Sequence, residues 1–448
     1  MIIRQLIRKF NIIILCYGAI ISISGCGEPE RNLSIINDSL IFNFDKKTGS
    51  LVNFTDLADS CCFYDESMPA YSPWEIELTD SSGKKTITNK DASRFRYWTP
   101  NKFTIILEWD RFIGFKSKDF AVTAIVELDK TKSMSYWRIS LDSIKGMIIN
   151  KLAYPRIKIT KTEGDEYLAV PEWMGQLIKN PRIYLSTLNT SPGKFEWSYP
   201  GPLSMQCAAL YTPGKRGFYA ACNDTLAYRK NMAFILDSTD NLVYQMNNFP
   251  ATDTATSRYE TTYSSIIGSF KGDWITAAEI YRDWGSKQKW SRESRFNLNS
   301  TPQWLEKTAL WVWNRGRSSN VLVPASDLQR RLDLPVSVFW HWWHGCSYDD
   351  GFPEYIPPRE GKKSFISAMS SAHDKGINAI VYMNQALWGT TTASWKDEEA
   401  EKYAARDSKG NTLTHIFNIF TGKPTAYMCM GTQFWKDKYS TLCDSAVN

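Results

Sequence analysis

From about residue 32 to 270, apolar and polar side chains alternate at a period of two, in short runs separated by turn-forming polar clusters. Ser39-Leu40-Ile41-Phe42-Asn43-Phe44, the turn Lys46-Lys47-Thr48-Gly49 and Leu51-Val52-Asn53-Phe54 predict a hairpin. Similar runs follow at Trp74 to Leu78, Phe103 to Trp109, Phe120 to Leu128, Tyr136 to Leu141, Phe218 to Ala221, Ala233 to Leu236 and Leu242 to Met246. No helix-period run of useful length interrupts them, so the pattern predicts a large antiparallel β-sandwich.

The period changes at Gly272-Asp273. Trp274 to Trp284 carries apolar residues at helical spacing, with Asp273 placed as the N-cap. Residues 271–300 therefore read as a linker helix and its polar exit. Beyond Pro302, apolar strands alternate with helices. Thr308 to Trp313 and Val336 to Trp340 read as buried strands, with a short helix over Ser326 to Arg331 between them. Ser364 to Lys375 is an amphipathic helix closed by Gly376, Ala379 to Met383 is a third strand, and Gln433 to Ala446 a further helix. Strand, helix and strand in this rhythm fit the opening of a (β/α)8 barrel. The predicted domains are 26–270, 271–300 and 301–448.

The first 25 residues follow a different logic. Arg4, Arg8 and Lys9 precede an apolar run broken by Asn11, Tyr17 and Gly18, and small residues then lead to Ile23-Ser24-Gly25-Cys26. The run falls short of the roughly 20 apolar residues of a spanning helix and reads as a cleaved signal peptide. Ile-Ser-Gly-Cys resembles the bacterial lipobox, which implies cleavage before Cys26, acylation of its thiol, and an exported protein held at a membrane on the periplasmic side or the cell surface.

Losing residues 1–25 removes three positive charges and lowers the formal net charge from +6 to about +3. Such a balance gives no footprint for nucleic acid. The nine cysteines include Cys16 in the leader and Cys26. The remaining seven are odd in number and lack metal-type spacing, so they read mainly as small buried residues, with any disulfide left open. Tryptophan is abundant, at 18 residues, and the indole face suits both core packing and the C–H faces of sugar rings.

Chemistry in a barrel collects at the C-terminal ends of its strands. Here the first strand ends in Trp311, Trp313 and Asn314, the second in Trp340, His341, Trp342 and His344, and the third in Tyr382 and Asn384 with Trp388 beyond. Aromatic platforms beside amide, imidazole and carboxylate groups are what a carbohydrate pocket needs. Asp349 and Asp350, in the loop after the second strand, are assigned to sugar hydroxyls rather than to acid-base catalysis. His341 and His344 point to different sides of a strand end with no third ligand in sight, which argues against a metal. No cofactor is implied, and calcium is left open.

These residues also carry a resemblance. Leu40-Ile41-Phe42-Asn43-Phe44 with Thr48-Gly49-Ser50-Leu51 resembles the galactose-mutarotase-like supersandwich that precedes the barrel of many bacterial glycoside hydrolases. Asp349-x-x-Phe352-Pro353-x-Tyr355-x-Pro357-Pro358, Tyr382-Met383-Asn384 and Tyr427-Met428-Cys429 with Thr432 and Trp435 resemble an uncharacterised, DUF-type bacterial family of TIM-barrel glycoside hydrolases. The resemblance implies a β plus α/β fold, a supersandwich followed by the first part of a (β/α)8 barrel, and a glycosidase acting on an oligo- or polysaccharide.

Thr301 to Asn448 is 148 residues, against about 250 for a complete barrel. The catalytic carboxylates of related clans stand at the ends of later strands, so they are expected beyond Asn448 and the chain is expected to be truncated and hydrolytically inactive. Two alternatives stand beside this reading: a non-catalytic glycan-binding surface lipoprotein, or a polysaccharide lyase using Arg315, Arg317, Arg330 and Arg331.

Overall fold

The computed structural model describes residues 32–447, apart from 66–69, 116–118, 189, 191, 347–348 and 408. The leader and Cys26 lie outside the described residues. The chain divides into two units, Met1–Arg292 and Glu293–Asn448.

The first unit is antiparallel β throughout its sheets. Asn32–Ile36, Leu40–Asp45, Leu51–Asp56 and Cys61–Tyr64 form a four-stranded sheet in chain order, beside a ten-stranded and a six-stranded sheet. The hairpin register sets Phe42 opposite Phe54, and their rings stack with centroids 4.4 Å apart. Gly49 closes this hairpin with φ +69°, and a Cβ there would lie 2.5 Å from the Phe95 ring and 2.6 Å from the Trp109 ring. Only glycine fits, because both the backbone conformation and the space exclude a side chain. Trp109 Nε1 donates to the Thr48 carbonyl at 2.8 Å, tying the turn to the ten-stranded sheet. Buried Phe42, Trp137 and Tyr244, one from each sheet, belong to a single apolar cluster. That shared interior is what makes the arrangement a sandwich.

Two elements differ from the pattern-based expectation. A six-residue helix, Pro181–Ser186, interrupts the strands. Its buried Arg182 pairs with Glu166 at 2.6 Å and donates to the carbonyls of Ile159, Thr160 and Asp240. Trp274–Gly285 is the expected helix, capped by Asp273, whose side chain accepts from Ile275 N at 2.9 Å. It is more than a linker, because Ala277 and Tyr281 pack into a cluster with Tyr211 and Phe270 of the ten-stranded sheet.

In the second unit, Leu310–Arg315, Val336–His341 and Asn378–Val381 form a parallel sheet. The helix between the first two strands runs from Ser318 to Leu332, much longer than the segment read from sequence, because Pro324 sits inside it. Proline removes the N–H that would bond the carbonyl four residues back, here that of Asn320. The Asn314 amide donates to that carbonyl at 3.0 Å instead, so the helix continues past the proline. Lys362–His373 follows the second strand, and Gly376 at φ +76° ends that turn.

Between the third strand and the final helix, Gln433–Val447, lies a small antiparallel sheet of Leu387–Gly389, Thr425–Tyr427 and Thr414–His415. Strands of two or three residues are too short to show a period, and the sequence pattern misses them. All seven cysteines among the described residues are free. Cys207, Cys222 and Cys346 are buried, and burial pushes each thiol up to about 12, whereas Cys429 and Cys443 are exposed rather than small core residues. Among the described residues no helix is long and apolar enough to cross a membrane.

Candidate functional site

Strand alternation sorts the residues predicted for the site into two groups. Val336, Val338 and Trp340 share a core with Val321, Leu322 and Ala325 of the first helix and Ala372 of the second. The opposite face of the sheet therefore carries Trp311 and Trp313 on the first strand, Phe339 and His341 on the second, and Tyr382 just past the third. On that face His341 stacks on Tyr382, with ring centroids 4.1 Å apart and planes within 10°. Trp313 and Phe339 meet His341 edge-on at 5.2 and 4.9 Å. Trp313 is 63% exposed and Trp311 39%, with Trp311 turned toward Trp304.

Four members of the predicted set are engaged elsewhere, two in packing and two in hydrogen bonds. Trp340 is fully buried, stacks on Phe365 and donates its indole N–H to the Gly316 carbonyl at 2.8 Å. Trp388 is fully buried against Trp435 and Phe434, with its N–H on Thr392 and Ser394. Neither presents a face to a sugar, because an even-numbered position on the second strand points at the helices and Trp388 lies inside the small sheet's own core. Asn314 is spent on the Asn320 carbonyl. Asn384 is largely spent too: its Oδ1 accepts from Ala386 N and Leu387 N, and its Nδ2 reaches the Tyr382 hydroxyl at 3.1 Å.

The loop after the second strand holds the polar centre. Trp342 and Asp349 both adopt the left-handed backbone region, at φ +54° and +63°, a conformation that costs a non-glycine residue on the order of 1 kcal/mol or more and persists only where surroundings enforce it. They enforce each other: Trp342 Nε1 donates to Asp349 Oδ2 at 2.8 Å, the Arg359 guanidinium donates to the Trp342 carbonyl, and Arg315 lies over the Trp342 ring at 4.6 Å. His344 is fully buried, with Nε2 3.5 Å from Asp349 Oδ1. Burial pushes the Asp349 carboxyl up, but the His344 imidazole and the Trp342 N–H outweigh it and hold the group below its usual range. Burial drives His341 the other way, below its ordinary value, against the pull of Asp349. At neutral pH the site thus joins an anionic Asp349 to an uncharged His341.

Asp350 is buried beside Asp349, with Oδ2 3.8 Å from the Lys423 ammonium. Neither ring nitrogen of His344 makes a hydrogen bond among the described residues, nor does Asp349 Oδ1 or Asp350 Oδ2. Buried polar atoms are nearly always bonded; here His344 Nε2 and Asp349 Oδ1 face each other at 3.5 Å and Asp350 Oδ2 faces the Lys423 ammonium, beyond hydrogen-bond distance. No group of three or more His, Cys, Asp or Glu side chains suited to a metal ion occurs among the described residues. Sequence reasoning placed Trp343 at the end of the second strand and Tyr355 in the loop motif without giving either a site role, and it did not single out Phe339 and Lys423. Period-two counting along the second strand finds Phe339, but only the fold brings Tyr355 to the Asn384 backbone, which it bonds at both N and O.

A family model described as "Domain of unknown function (DUF6259)" matches residues 259–448. A Bacteroides thetaiotaomicron protein described as "Putative glycoside hydrolase" is 20% identical over 379 residues, covering 82% of this chain and 53% of that protein. The chain thus spans about half the length of that relative. Among solved structures, the α-N-acetylgalactosaminidase NagBb of Bifidobacterium bifidum in complex with GalNAc superposes with a TM-score of 0.65 at 13% identity, covering 92% of this chain and 68% of that one. The galactosidase domain of the α-galactosidase-sucrose kinase AgaSK does so with a TM-score of 0.52 at 8% identity, covering 93% and 64%. These likenesses are in fold.

Proposed function

We propose that this protein is a glycoside-hydrolase-type protein that binds a glycan on the aromatic face of the parallel sheet, with Trp313, Tyr382 and His341 presenting ring surfaces and Asp349 and Asp350 taking hydroxyls. The observation that carries this is the pairing of exposed aromatic faces with buried, unbonded carboxylate and imidazole atoms at the same strand ends. Stacking holds the face of a sugar ring, and an anionic carboxylate reads its hydroxyls. The three parallel strands and their helices are read here as the opening of a (β/α)8 barrel, on the strength of the helix-covered and open faces of the sheet. Among the described residues of this sheet, carboxylates follow only the second strand, so no acid-base pair is assigned across two strand ends.

The test is Asp349→Asn, which keeps the side-chain shape and removes the charge. Loss of a charged hydrogen bond is worth about 1.5–3 kcal/mol, so glycan affinity is expected to fall by about 10-fold to 100-fold with the melting temperature little changed. A panel begins with methyl and aryl α-galactosides and α-N-acetylgalactosaminides, because the proteins of similar fold act on those sugars, and extends to polysaccharides. Equal affinity of wild type and variant across the panel sinks the assignment.

Export and lipid anchoring at Cys26 belong to the same proposal, supported by the basic, apolar and small-residue order of residues 4–26. Cys26→Ala is expected to move the protein from the detergent phase to the aqueous phase in Triton X-114 partitioning. Unchanged partitioning places the anchor elsewhere.

A further inference from the structure

The loop joining the last two strands of the small antiparallel sheet displays Ile416, Phe417, Ile419 and Phe420, exposed at 49, 48, 80 and 89%. Four large apolar side chains exposed within five residues set this loop apart from the scattered apolar residues that every surface carries. The turn is ordered from within, since Asn418 Oδ1 accepts from Phe420 N at 2.9 Å and the Asn418 carbonyl accepts from Gly422 N at 3.0 Å.

The loop is also fastened to the candidate site. Lys423 reaches Asp350, and the Pro424 carbonyl accepts from both the backbone and the hydroxyl of Thr390. On the neighbouring strand, Gly389 N donates to the Phe352 carbonyl, and a Cβ on Gly389 would lie 2.1 Å from the Asp350 carbonyl oxygen. Lys423 stands three positions after Phe420, which keeps their Cα atoms within about 11 Å of each other. The apolar patch therefore stands within a few sugar lengths of the carboxylates.

We propose that this loop is the aglycone platform of the glycan site, and that it selects glycosides whose aglycone is apolar, such as an alkyl, aryl or lipid group. The inference rests on the glycan reading of the Asp349 site. Phe417 and Phe420 could stack on a sugar face, but Ile416 and Ile419 between and beside them cannot pair its hydroxyls, whereas an alkyl chain covers all four and gives up its own water-exposed surface. Lys423 marks the boundary between the two halves of such a ligand.

Binding of methyl, butyl and hexyl α-galactosides and α-N-acetylgalactosaminides, below micelle-forming concentrations, tests this on the full chain. Each methylene covered is worth about 4-fold in affinity, so hexyl glycosides are expected to bind at least 30-fold more tightly than methyl glycosides. In the double variant Ile419→Ser with Phe420→Ser that ratio is expected to collapse to about 3-fold or less, with the methyl glycoside affinity kept. A chain-length ratio near one in the wild type, or a ratio the double variant leaves intact, overturns the proposal while binding that depends on Asp349 leaves the glycan site standing. Hexyl binding that survives Asp349→Asn overturns both, as does the absence of binding by every glycoside in the series. Self-association in light scattering that the double variant dissolves gives the patch to a second copy and overturns the platform alone.

Discussion

Trp313→Ala and Trp340→Ala are expected to separate cleanly, although the two residues sit within one register position of each other on adjacent strands. Trp340 is fully buried between the sheet and the Lys362–His373 helix, with its N–H satisfied. Its removal leaves a cavity and an orphaned carbonyl, and large-to-small changes of this kind cost about 3–5 kcal/mol. Trp313 is 63% exposed and touches His341 edge-on, so its removal is expected to cost about 1 kcal/mol or less. If the indole is a sugar platform, glycan affinity falls by about 10-fold, corresponding to an aromatic contact of about 1.4 kcal/mol. Thermal melting and glycan titration on both variants decide the matter. A Trp313→Ala protein that melts far earlier while binding as before makes that face a packing surface and withdraws the site.

A comparable loss of stability is expected in the first unit from Asp224→Ala. Lys230 is completely buried, with its ammonium 2.5 Å from Asp224 Oδ2, 3.2 Å from Gln206 Oε1 and 2.6 Å from the Tyr228 carbonyl. The rings of Tyr199 and Tyr263 lie 4.9 and 4.7 Å from it. Removing the carboxylate strands a cation without its counter-charge, at a cost of about 3–5 kcal/mol. The same change frees Leu226 N and Tyr228 N, which Asp224 also holds. A melting temperature lower by about 10 °C is expected, since about 2–4 °C accompanies each kcal/mol in units of this size. Combining Asp224→Leu with Lys230→Met should recover only the part of the loss due to the stranded charge, because Leu226 N and Tyr228 N stay without their acceptor. A single variant as stable as the wild type shows that the ammonium finds enough partners in Gln206, Tyr228 and the two rings.

Local patterning carries the fold class of this protein. Phe42 and Phe54 are apolar because they face an interior, and their alternation with Asn43 and Asn53 reads as a hairpin before any contact is known. Asp273 before Trp274 and Gly376 after the helix ending at His373 are short-range signals for the same reason: a cap acts on backbone groups within three or four residues. The boundary between antiparallel β and alternating strand and helix is legible because the period of hydrophobicity changes there. What sits at the strand ends was legible as composition only. Trp313 and Trp340 are both tryptophans at strand ends, and nothing local says which meets solvent and which meets a helix. Facing is set by register against Phe339 and Val381, which are distant in sequence. Asn314 is a site residue by position and a helix repair by geometry, because Pro324 frees a carbonyl that only the tertiary fold brings within its reach. Lys423 meets Asp350 across more than seventy residues through strands too short to show a period. Short-range order is written in the chain as spacing and caps, whereas the assignment of each polar atom to a partner depends on which surfaces the packing closes.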